Sequence, residues 1–241
     1  MPLKSFLVYS YDMSEQNTTL PTYKDMVESG MHVGRKRSAF NSRMKSAVYM
    51  TKDKIDIIDL VKTSQALLGA IKAMREVIDS GGKILFVGLS AQSAVITKTI
   101  AEDLQMPYVV DRWLGGTFTN FKTIISRVDY LKKLEEEKKS EAFSKFTKLE
   151  RLMKEREIEK LKIKFDGIRE MTKLPEMIFV SSAREAVIPV DEARKAGVIS
   201  VGLVNTDSDP GRLTYAVPAN DNAKQSVALV LQTIHKALKS K

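Results

Sequence analysis

Between Gly30 and Lys52 six cations, Arg35, Lys36, Arg37, Arg43, Lys45 and Lys52, occur without an acidic residue and are interleaved with Phe40, Asn41 and Tyr49. A patch of one sign attracts polyanions, because each phosphate neutralised by Lys or Arg releases condensed counterions. Asn41 and the aromatics could hydrogen-bond or stack on bases. The same composition also suits a solvated basic loop. A second constellation is Arg112-Trp113-Leu114-Gly115-Gly116-Thr117. Its paired glycines permit a sharp reversal, and Thr117 or Thr119 could cap a following helix. The single Trp reads either as a stacking platform for a base or as a hydrophobic plug, and composition favours the plug.

Catalytic chemistry finds little support. The loops Gly88-Leu89-Ser90, Ser181-Ser182 and Asn205-Thr206-Asp207 stand where strands should end, yet none carries a Gly-x-Gly-x-x-Gly fingerprint or a P-loop. Asp207 and Asp209 could hold a divalent cation, but Asp-Ser-Asp-Pro-Gly is also good turn chemistry, which is the preferred reading. Ser181 and Ser182 lack a nucleophile elbow. There is no cysteine, and the two histidines, His32 and His235, lie at opposite ends of the chain. No catalytic residue, metal site or cofactor is expected.

A chain of 241 residues with 43% hydrophobic content can bury a domain-sized core. Its net charge of +9 directs it toward polyanions without saying which. The longest apolar runs, Ile84 to Leu89 and Val198 to Val204, fall short of the ~20 residues needed to span a bilayer, so no membrane role is expected. Leu3 to Tyr9 lacks the cleavage site of a signal peptide. Residues 1–20 read as a flexible tail, and Met13 opens a polar stretch suited to a translation start.

The elements that must position these residues follow from periodicity. Ile55 to Leu60 reads as a short strand. Leu67, Ile71, Met74 and Ile78 recur at helical spacing until Gly81-Gly82. The continuous run Ile84 to Val87 suits a strand buried on both faces, followed by a helix through Ile96, Ile100 and Leu104 and a strand at Pro107 to Val110. Later come a strand at Met177 to Val180, a helix near Arg184 to Ala196, a strand at Val198 to Val204 and a last helix through Val227, Leu231, Ile234 and Leu238. This alternation predicts an α/β domain with an open parallel sheet covered on both faces.

Between the halves, Ile124, Ile125, Val128, Leu131 and Leu134 form one helical series, and Phe146, Leu149, Met153, Ile158, Leu161 and Phe165 form another. Two helices of roughly 20 residues, each about 30 Å long and joined near Lys138 to Ala142, should make a projecting antiparallel coiled-coil hairpin. Lys122 to Lys173 holds sixteen basic and eleven acidic residues. The expected division is residues 21–111 and 174–241 for the α/β domain and 112–173 for the inserted hairpin.

Gly30-Met31-His32-Val33-Gly34, Ile57-Ile58-Asp59-Leu60, Gly82 to Gly88, Arg112 to Gly116 with Thr119-Asn120-Phe121-Lys122, Leu174-Pro175, Asp209-Pro210 and Pro218-Ala219-Asn220-Asp221 occur in an order and spacing that resembles the bacterial-type small-subunit ribosomal protein S-two family. The likeness runs from Tyr23 to Leu238. It implies a flavodoxin-like fold with a protruding hairpin, a cytoplasmic ribosomal location, and contacts with small-subunit rRNA and neighbouring ribosomal proteins, including the large mRNA-binding protein. On that analogy His32, Arg35, Lys36, Arg37, Asn41, Arg43 and Lys45 would touch rRNA, and Arg112, Trp113, Asn120 and Lys122 would anchor the hairpin base or touch RNA. Arg35 departs from the family's usual histidine, Leu89-Ser90-Ala91 from its paired lysines, and Ser181-Ser182-Ala183 from its Asp-Pro. The leading expectation is a structural RNA-binding protein. The alternative is a nucleotide- or sugar-phosphate-binding enzyme on the same fold.

Overall fold

The computed structural model of the chain describes residues 20–140, 143 and 146–239. The expected tail and the start at Met13 lie outside the described residues, apart from Leu20, which packs against the core. Five strands, β4 (Ile84–Val87), β5 (Tyr108–Val109), β6 (Met177–Val180), β7 (Ile199–Val204) and β8 (Tyr215–Pro218), form a parallel sheet in the order β5-β4-β6-β7-β8. Counted within this sheet alone the order is 2-1-3-4-5, the flavodoxin-like arrangement.

Strand alternation divides the core into two layers. Ile84, Phe86, Met177, Phe179, Val201 and Leu203 face one side. They are covered by α2 (Leu60–Asp79), α3 (Ala91–Asp103) and α7 (Lys224–Lys239), together with Met26 of α1 (Tyr23–Glu28). Leu85, Val87, Ile178 and Val180 face the other side, against α6 (Val187–Ala196) and the base of α4 (Phe121–Lys139). A strand covered on both faces gains nothing from polar alternation, which is why β4 and β6 are uniformly apolar.

The basic segment is not a loop. β1 (Val33–Lys36), β2 (Val48–Lys52) and β3 (Ile55–Ile58) form a separate antiparallel sheet in the order β1-β3-β2. Two short 3-10 turns, Arg37–Ala39 and Ser42–Ala47, separate β1 from β2. Those turns break the period-two pattern, so the sequence reveals only β3. β8 is likewise missed, because its four residues end at Pro218 and one outer face is wet.

In the inserted segment α4 is antiparallel to α5 (Lys148–Phe165): Glu137 pairs with Lys154 at 2.5 Å, Lys138 with Glu155 at 2.9 Å and Glu135 with Lys162 at 3.1 Å. Ile124, Val128, Leu131 and Leu134 are buried as their spacing requires. α5 departs from expectation. Ile158 and Phe165 are buried, but Leu149 and Met153 are each 62% exposed. The expected joint is described as far as Ser140, beyond the end of α4, and residues 141–142 lie outside the described residues.

At the end of α5, Gly167 lies against β5, and a Cβ there would fall 2.2 Å from the Tyr108 carbonyl oxygen. Because backbone rather than a flexible side chain occupies that space, Gly167→Ala should destabilise the fold by about 1–3 kcal/mol. Chemical denaturation monitored by circular dichroism checks this, and an unchanged midpoint would contradict it.

Candidate nucleic-acid interface

The segment from β1 to β2 lies against the carboxyl ends of β7 and β8. Gly34 permits the approach, since a Cβ there would stand 2.6 Å from the Asp56 carbonyl oxygen and 2.7 Å from Thr206 Cγ2. The Arg35 amide donates to Thr206 Oγ1 at 2.9 Å, and the Asn41 amide donates to the Thr206 carbonyl at 2.8 Å. The Arg35 guanidinium then reaches inward. Its Nη2 donates to Asn222 Oδ1 at 2.8 Å and Asp221 Oδ1 at 3.3 Å, and its Nε lies 3.4 Å from Asp207 Oδ2.

Asp221 is buried and also accepts from Ser182 Oγ at 2.6 Å and Asn205 Nδ2 at 2.9 Å. Asp207 takes a second cation, Arg184, at 2.5 Å. The space outside the ends of β7 and β8 thus holds the protein's own Arg35. At the β4/β6 switch point, Ser181 Oγ donates to Ser93 Oγ at 2.8 Å, and both side chains are buried. Asp209 accepts from the Gly211 amide at 2.9 Å and pairs with Arg43, so the Asp207–Gly211 stretch is a turn braced by arginines. Among the described residues no group of three or more His, Cys, Asp or Glu side chains could hold a metal.

The cations of the patch therefore sort by chemistry. Every arginine has an internal carboxylate: Arg35 has Asp207 and Asp221, Arg37 has the buried Asp56 at 3.2 Å, and Arg43 has Asp209 at 2.5 Å. Arg37 also stacks over the Phe40 ring at 3.9 Å. The side chains of Lys36, Lys45 and Lys52 are exposed, and no carboxylate among the described residues lies within ion-pair distance of them. Asn41 is a cap, its Oδ1 accepting from the Arg43 amide at 3.0 Å. His32 is half-buried, and its carbonyl accepts from the Ile58 amide at 2.8 Å.

The second constellation is organised by a residue that sequence reading missed. Glu192 of α6 is 7% exposed, and its carboxylate accepts from the amides of Gly116 at 2.7 Å, Phe118 at 3.0 Å and Thr119 at 3.4 Å and from Trp113 Nε1 at 3.3 Å. Burial alone would raise its pKa, but these four donors outweigh it and hold the carboxyl below its ordinary value. Trp113 is buried and meets Phe118 edge-on at 5.2 Å, so its indole is a plug. With Met44 and Ala47 of the basic segment it belongs to one apolar cluster, which brings the two constellations onto a common core. Thr117 and Thr119 do not cap α4. Thr117 Oγ1 bonds back to the Leu114 carbonyl, and Asn120 occupies the N-cap position, its Oδ1 accepting from Thr123 Oγ1 at 2.8 Å. Arg112 and Lys122 are exposed.

The family model described as ribosomal protein S2 matches residues 26–240. The chain is 38% identical over 212 residues to the small ribosomal subunit protein uS2 of Cytophaga hutchinsonii, covering 88% of this chain and 84% of that one. It is 38% identical over 216 residues to the protein of the same description from Rhizobium meliloti, covering 90% and 84%. With that of Pasteurella multocida it shares 37% over 216 residues, covering 90% of each chain.

Two outcomes follow from this geometry. Glu192→Gln places an amide against four donors and should cost roughly 2–4 kcal/mol at neutral pH. Because the folded carboxyl titrates below its unfolded value, this stabilisation is complete above about pH 5 and is lost as pH falls through the folded pKa. Melting curves of wild type and variant should therefore converge toward acid, and parallel curves would contradict the assignment. Arg35→Ala should cost roughly 2–4 kcal/mol by leaving Asp221 and Asp207 undercompensated, whereas Lys36→Ala should leave the melting temperature unchanged. Equal effects of the two would sink the division between inward arginines and outward lysines.

Proposed function

The chain belongs to the ribosomal protein S2 family, and from that premise we propose how its surface works in the small ribosomal subunit. It is a structural component of the subunit, not an enzyme. Lys36, Lys45 and Lys52 grip phosphates of small-subunit rRNA, assisted by the outer edges of Arg37 and Arg43, which are 50% and 67% exposed beyond their carboxylates. The division of the patch into paired arginines and free lysines is the observation that carries this reading. Arg35, Asn41 and Trp113 serve the interface by holding its frame, and Arg112 and Lys122 offer further charge where the chain enters α4.

The hairpin of residues 112–173 projects from the α/β domain as a coiled-coil arm in this proposal and meets neighbouring ribosomal proteins, the large mRNA-binding protein among them. The exposure of Leu149, Leu152, Met153 and Ile163 on α5 supports it, since monomeric surfaces seldom leave large apolar side chains grouped in water. The protein works on the cytoplasmic ribosome and supports mRNA recruitment by positioning. No helix among the described residues is long and apolar enough to cross a membrane.

Binding of the full chain to small-subunit rRNA across a salt series tests the phosphate contacts. Replacing Lys36, Lys45 and Lys52 together by Gln should lower affinity and reduce the slope of log K against log salt by about 2–3, with no change in melting temperature. A slope equal to that of the wild type would remove these lysines from the interface.

A further inference from the structure

β2 and β3 do not pair evenly. Val48 lies opposite Ile58 and Met50 lies opposite Ile57, so Tyr49 is an extra residue with no partner on β3. Such a bulge re-aims side chains and interrupts the ladder. The hairpin turn that follows is fixed by Asp53 and Lys54, whose φ values of 49° and 63° give the left-handed turn conformation that suits a tight antiparallel connection. The register of the bulge is thereby set by the turn on one side and by Val48 on the other. Tyr49 is 73% exposed, the highest exposure of any aromatic side chain among the exposed large hydrophobics of the described residues.

Its surroundings are cationic. Lys36 of β1 and Lys52 of β2 both lie opposite Ile55, one on each side, so the two side chains share a face of the small sheet. Lys45 lies in the 3-10 turn that leads into the bulge, four residues before Tyr49. A phenol held out in water costs apolar hydration and gains little packing, and Met50 beside it in the strand is 48% exposed. Lysines that are free of carboxylates supply the attraction for a phosphodiester chain. An aromatic ring on the same short strand as Lys52 supplies a face on which a base can stack, which is the usual division of labour in recognition of unpaired nucleotides.

We propose that the bulged Tyr49 is a stacking platform for an unpaired base of the RNA that the neighbouring lysines hold. This rests on the rRNA reading above and adds to it a contact that phosphate neutralisation alone does not provide. A duplex buries its base faces, so the occupant is a loop, bulge or end, not a continuous helix.

The test is equilibrium binding of the full-length protein to a small-subunit rRNA transcript over a salt series, with wild type, Tyr49→Ala and Tyr49→Phe in parallel and melting temperatures measured for each. Stacking is independent of salt. Tyr49→Ala should therefore weaken binding roughly 5- to 100-fold with the salt slope and melting temperature unchanged, while Tyr49→Phe keeps wild-type affinity. Wild-type affinity in Tyr49→Ala, with the salt-dependent binding of the wild type intact, would overturn the stacking contact and leave the lysine reading standing. An equal loss in Tyr49→Phe would assign the effect to the hydroxyl and overturn stacking. Failure of the wild-type protein to bind would overturn both.

Discussion

One guanidinium connects the parts of this protein that the sequence leaves separate. Arg35 enters from β1, an element of the small antiparallel sheet, and finds Asp207 after β7 and Asp221 after β8. Asp221 is almost fully buried, and a carboxylate there is tolerable only because Ser182, Asn205 and Arg35 together satisfy it. The pairing also reaches β6 through Ser182. Three strand ends and one inserted sheet are thus fixed by one charge cluster, and the exposed lysines inherit their positions from it. The same cluster lies outside the carboxyl ends of β7 and β8, to one side of the β4/β6 switch point.

Glu192 does for the second constellation what Arg35 does for the first. A chain leaving the sheet through Gly115-Gly116 exposes several amides to an apolar interior, and these need acceptors. One carboxylate on α6 accepts from three of them and from the Trp113 indole, so the entry into α4 is clamped to α6 on the same face of the sheet. The anchor lies within the domain. That leaves Arg112, Asn120 and Lys122 on the outside.

The parallel sheet was legible because strands covered on both faces are written as continuous apolar runs, as at Ile84 to Val87 and Met177 to Val180, and because Leu67, Ile71 and Met74 repeat at helical spacing. The resemblance to a known family was legible in short motifs such as Arg112 to Gly116. The small sheet was not, since β1 has four residues and the other edge strand, β2, is interrupted by a bulge, so neither carries a period long enough to read. The partners of the arginines were illegible for a different reason: Asp56, Asp207 and Asp221 are 19 to 186 residues away from them in sequence, and no local pattern announces a contact at that range. Glu192 left only a faint sign, an acid placed beside Val190 and Ala193 on the buried side of a helix.

Arginine and lysine are therefore not interchangeable within this patch, although composition treats them alike. A guanidinium is planar, weakly hydrated and able to bridge two acceptors, which suits it to Asp207 and Asp221 at the edge of a core. An ammonium is compact and strongly hydrated, and it keeps its mobility when left in water. Placing the arginines inward spends their geometry on the frame, and placing the lysines outward leaves charges with no internal pair to break before a polyanion could be bound. A patch built wholly of free arginines would carry the same net charge, but it would leave Asp56 and Asp221 buried without their cations. The fold and the interface draw on one run of basic residues because each takes from it the cation the other cannot use.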